Sequence, residues 1–75
     1  MPLSPHLQNV YSKRLRLIKE EYDTLIEAVF AIDEYLLKYG NKGNFEYIKT
    51  YCQKKSEMII LDIERNDIYK ELFGG

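Results

Sequence analysis

Few residues in this chain have the type and spacing to react or to bind: Asp62, Cys52, His6, the pair Asp23 and Glu27, and the basic residues between 13 and 19. His6 is the only histidine, so neither a Glu-x-x-His carboxylate site nor a Cys/His zinc set is possible. Cys52 lies on an apolar helix face with no histidine near it and reads as a small buried hydrophobe rather than a nucleophile. Asp23 and Glu27 stand one helical turn apart on a solvated face, too open to shift a carboxyl toward acid–base work. Gly40-Asn41-Lys42-Gly43 lacks the spacing of a phosphate-binding loop and any preceding strand. The expectation is a non-catalytic protein with no metal and no cofactor.

Binding is the better prospect. Asp62 falls near the middle of an apolar arc, among Met58, Ile59, Arg65, Asn66 and Tyr69. An unpaired carboxylate there would cost several kcal/mol, so a partner is expected from Arg65, Asn66 or Tyr22. Its expected role is to fix register or oligomer state; a half-exposed groove position or a ligand contact are the alternatives. Lys13, Arg14, Arg16 and Lys19 form the densest basic cluster and would suit phosphate contact. Glu20, Glu21, Asp23 and Glu27 follow directly, which favours a solvated face paired across the molecule. Of seven tyrosines, all but Tyr35 map near an apolar arc, with the ring buried and the hydroxyl at water.

These residues are positioned by two helices. From Pro5 to Gly40 there is no interior Gly or Pro, and Tyr11, Leu15, Ile18, Tyr22, Leu25, Val29, Ile32, Leu36 and Tyr39 recur at alternating steps of four and three. That heptad seam predicts a helix over 5–39, capped by Ser4 ahead of Pro5 and ended by Gly40. Gly40-Asn41-Lys42-Gly43-Asn44 is the loop, and Asn44 is the expected N-cap of a second helix over 45–73. A connection this short makes an antiparallel hairpin, all-α and one domain across 1–75. Lys13, Arg16 and Lys19 are expected opposite Glu71, Asp67 and Glu64, and Asp33 and Glu34 opposite Lys49. Such pairs set register more than stability.

Composition narrows the class. Seventy-five residues with 45% hydrophobic and 31% charged content, four Gly and two Pro exclude a disordered tail and a disulfide scaffold. A net charge of -1 names no nucleic-acid or membrane partner. No apolar run approaches the ~20 residues a membrane span needs, the first residues lack the pattern of a leader, and one cysteine suits a reducing compartment, so the cytoplasm is expected.

A lone hairpin buries one stripe per helix, yet both helices carry more. Ile26, Phe30 and Leu37 form a second stripe on the first helix. On the second, Tyr47, Tyr51, Met58, Leu61, Ile68 and Leu72 make one edge of a wide arc, and Phe45, Ile48, Cys52, Ile59 and Ile63 the other. Self-association into a four-helix bundle, or docking on a larger protein, is expected to cover the excess. The contact residues expected are Ile26, Phe30, Leu37, Phe45 and Tyr47, with Ile60 alone on a polar face. In layout the chain resembles the Rop family of plasmid RNA-binding proteins, dimers of helical hairpins. That resemblance implies the second functional expectation, a nucleic-acid-binding regulator working through Lys13, Arg14, Arg16 and Lys19. The first is an adaptor or small accessory subunit acting through apolar surface.

Overall fold

A computed structural model describes residues 3–74. Helix α1 spans Pro5–Tyr39 and helix α2 spans Phe45–Phe73, packed antiparallel in a rod of 54 × 16 × 15 Å. Among the described residues there is no strand, and no helix is long and apolar enough to cross a membrane. The all-α hairpin follows the heptad pattern: Ile18, Leu25 and Val29 are buried on α1, with Tyr11, Leu15 and Tyr22 packed beside the core. Tyr39, the last residue of the seam, is 60% exposed because the seam there has run past the end of its partner helix.

The ends of the elements have local causes. The Leu7 amide donates to Ser4 Oγ at 3.2 Å, and Pro5 occupies the first turn, where its missing N–H leaves no bond unmade. At the other end of α1 the Gly40 amide donates to the Leu36 carbonyl at 2.7 Å, and Gly40 adopts φ 81° and ψ 174°. This is a region essentially restricted to glycine. Asn44 behaves differently from the sequence expectation. Its side chain makes no cap bond to α2; instead Nδ2 donates to the Gly40 carbonyl at 2.7 Å. With φ -111° and ψ 38° its backbone is not in the extended region that aims an N-cap side chain at the first free amides. Asn44 therefore clasps the end of α1 to the start of α2.

On α2 the buried residues are Leu61 and Ile68, with Met58 and Leu72 packed against the core. Lys54 and Arg65 fall on the same stripes and are half-buried, so polar groups interrupt this helix's seam. Only five side chains, Ile18, Leu25, Val29, Leu61 and Ile68, are buried among the described residues.

The ion pairs differ from those expected. Across the hairpin Arg14, not Lys13, Arg16 or Lys19, holds Glu64, through Nε to Oε2 at 2.6 Å and Nη2 to Oε1 at 2.8 Å. Residues three and four steps from core positions flank the seam: Arg14 lies between Tyr11 and Ile18, Glu64 between Leu61 and Ile68. Lys13 and Arg16 are turned outward. Near the loop no Asp33, Glu34 or Lys49 ion pair forms among the described residues. Aromatic contact joins the helices there: the Tyr35 ring lies 4.4 Å from Tyr47 and 4.7 Å from Tyr39. Tyr35, expected outside the seam, is thus half-buried and part of the packing.

Candidate docking surface

Residues seven apart share a stripe on a packed helix, so each helix offers one flank on either side of its buried seam. Beyond the seam of α1, one flank holds Lys19, Ile26 and Asp33, followed by Arg16, Asp23, Phe30 and Leu37. Beyond the seam of α2, one flank holds Ile48, Lys55, Asp62 and Tyr69, followed by Phe45, Cys52, Ile59, Asn66 and Phe73. Two shallow grooves show that these flanks lie on the same side of the hairpin. Near the loop, Asp33 and Leu37 line a groove with Ile48 and Cys52. Toward the open end, Arg16, Lys19 and Asp23 line another with Arg65 and Tyr69.

The opposite side has another character. It carries the Arg14–Glu64 pair, with Glu21 3.8 Å from Arg14 Nη1. A third groove there is lined by Glu20, Glu21, Thr24 and Glu57, and a fourth by Tyr11, Glu64, Asp67, Lys70 and Glu71. One side of the hairpin is apolar in its loop half, and the other is richer in acid, with Arg14, Lys70 and exposed Leu17 and Ile60 among its carboxylates.

The contact residues expected from sequence are distributed unequally over these sides. Phe30, Leu37 and Phe45 are 65%, 81% and 71% exposed, and with half-buried Ile26 they belong to the apolar side. Tyr47, 44% exposed, packs its ring against Tyr35 across the loop end of the hairpin. Ile60, although exposed, lies three and four residues from Glu57 and Glu64, on the acidic side of α2. Ile59 and Cys52, noted in sequence only as an edge of the arc, join the apolar side and are exposed. Cys52 is therefore not the buried hydrophobe expected of it, because α1 covers only the other edge of the α2 arc. What the sequence left open was the sidedness, since each stripe is visible in one helix alone whereas their alignment depends on how the helices pack.

Asp62 is half-exposed as a side chain, yet its Oδ1 is shielded from solvent and accepts no hydrogen bond. Arg65 Nη2 stands 2.8 Å from that oxygen, an ion pair lying off the line of a hydrogen bond. Neither Asn66 nor Tyr22 supplies a donor. Of the basic cluster, Lys13, Arg16 and Lys19 are exposed, and Arg14 is occupied by Glu64 and Glu21. The hydrogen bonds Arg14 donates to Glu64 raise the Arg14 pKa, and the same bonds hold the Glu64 carboxyl below the ordinary carboxylate range. Lys55 reaches toward solvent with its Nζ 5.7 Å from the Tyr51 ring.

No protein-family model matches this chain, and neither a curated protein nor a solved structure matches it.

Proposed function

We propose that this hairpin is a non-catalytic interaction module, an adaptor or small accessory subunit that acts by bringing its apolar side against another protein surface. The observation that carries this is the alignment of two surplus apolar flanks, one from each helix, on one side of the rod. A soluble monomer scatters single exposed apolar residues, whereas a contiguous patch beside a polar rim marks a contact surface. Exposed area points the same way. A compact monomer of 9.0 kDa is expected to expose about 4,900 Å², and this chain exposes 6055 Å². The difference is comparable with the ~800 Å² that each partner loses in an ordinary stable interface. A four-helix bundle of two hairpins is one form of such a complex, and its single free cysteine suits a cytoplasmic setting.

The nucleic-acid alternative draws less support. It needs Lys13, Arg14, Arg16 and Lys19 free together, and Arg14 is held by two carboxylates. Phosphate binding weakens steeply between low and moderate salt, whereas apolar docking responds little. Titration of RNA or DNA at two salt concentrations separates the two functions.

The test is sedimentation equilibrium at micromolar concentration with far-UV circular dichroism on the same samples, for the native chain and for Phe30→Asp. Loss of association in the variant supports the proposal, as does a native monomer that is poorly helical alone and gains helix with a captured partner. A native chain that is monomeric, strongly helical and cooperatively unfolding needs no second surface, and that result overturns it.

A further inference from the structure

We infer that the occupant of the apolar side is a second copy of this chain, docked with both loops at the same end, so that Lys19 of each copy meets Asp62 of the other. This rests on the proposed docking function and adds the partner and its orientation. Within one hairpin, Arg14 stands level with Glu64 and Tyr35 with Tyr47. At ~1.5 Å per residue, Lys19 then lies within about one turn of the height of Asp62, and Phe30 within about one turn of Cys52. A two-fold axis along the rod leaves every residue at its own height. Phe30 and Leu37 of one copy then cover Cys52 and Phe45 of the other, apolar on apolar. An axis across the rod reverses the heights and sets Phe30 over Arg16, Asp62 and Arg65, which would bury charge against a phenyl ring.

Asp62 supplies the independent observation. Its side chain stays 40% exposed on this side of the rod, while the Oδ1 shut from solvent is already ion-paired with Arg65 Nη2 at 2.8 Å. Lys19 is exposed on the same side of the rod and makes no ion pair among the described residues. In the loops-together dimer the ammonium of Lys19 arrives within about one turn of Asp62 and pairs with the open oxygen of its carboxylate. Each helix then has antiparallel neighbours on two sides, the up-down arrangement of a four-helix bundle.

The experiment has two arms on the full chain. In the first, Lys19→Asp and Asp62→Lys are made singly and together, and association is followed by sedimentation equilibrium with circular dichroism as the check on folding. Each single change is expected to weaken the dimer about tenfold, two contacts being lost per dimer, and the double change to restore it. In the second, Lys42→Cys in a Cys52→Ser background carries a spin label at the loop. Loops together give a label separation on the order of 20 Å, two helix-packing distances. Reversed docking gives a separation near the 54 Å length of the rod. A dimer with the long separation overturns the orientation, and one with the short separation but no charge rescue overturns the Lys19–Asp62 contact. A monomer overturns the second copy as occupant. The docking function survives that last result if the monomer is poorly helical and falls with it if the monomer is fully helical and cooperative.

Discussion

Arg14 and Glu64 meet through two parallel hydrogen bonds at 2.6 and 2.8 Å, the fork geometry a guanidinium offers and an ammonium does not. Both side chains are partly open to water, so the pair contributes through geometry more than through low dielectric. Its pH signature has a definite sign. The Glu64 carboxyl is held below its ordinary range by Arg14, so the folded state binds that proton less readily than the unfolded chain. The stabilisation is full above the ordinary carboxylate range and is lost as pH falls through the depressed value. Glu64→Gln is expected to lower stability at neutral pH and to flatten the decline on acidification, read from urea unfolding at a series of pH values. A wild-type pH slope retained in the variant would remove Glu64 as its source. That basic residues near the start of α1 would meet acidic residues near the end of α2 is legible in the sequence. The particular pair is not, until one asks which charged residues sit three and four steps from core positions on both helices.

The two helices are joined by chemistry that acts on backbone rather than on side-chain packing. Gly40 at φ 81° and ψ 174° turns the chain out of α1, and Asn44 Nδ2 then bonds the Gly40 carbonyl at 2.7 Å. Gly40→Ala is expected to destabilise the hairpin by about 1–3 kcal/mol, measured as a lower urea midpoint at unchanged slope. A Cβ built there meets nothing within 4 Å, so the loss is conformational, and a neutral substitution would mean the loop relaxes into another turn. Helix bounds, the Ser4 cap and the Gly40 stop follow from residue types alone, since caps and glycine act locally. The Asn44 clasp does not, because Asn serves either helix end and only the loop's path decides which carbonyl it reaches. Tyr35 is a similar case. It lies one step off the α1 seam, and burial with the nearby Tyr47 raises its hydroxyl pKa. Above about pH 10 the unfolded chain ionises Tyr35 more readily than the fold does, so the loop end is expected to loosen in alkali and Tyr35→Phe to blunt that loss.

At the scale of the whole molecule, a rod 54 Å long is held by five buried side chains among the described residues. So small a core is marginal against the entropy of ordering two helices of 35 and 29 residues. If association completes the core, the thermal midpoint rises with protein concentration, whereas a self-sufficient hairpin gives the same midpoint at every dilution. Heating scans across a hundredfold range of concentration decide between these. The apolar excess was visible as widened stripes in the sequence; that both stripes face one way emerged only when the helices were set side by side.

That one-sidedness governs how far assembly can proceed. The flank bearing Glu20, Glu21, Glu57, Glu64 and Glu71 sets its exposed apolar residues, Leu17 and Ile60, among carboxylates, and like charges on an approaching copy repel it. A rod that is adhesive on both sides would polymerise into a sheet or fibre, as open head-to-tail contacts do. A rod adhesive on one side is finished by a single cover, and the acid on its back leaves the closed particle dispersed rather than growing.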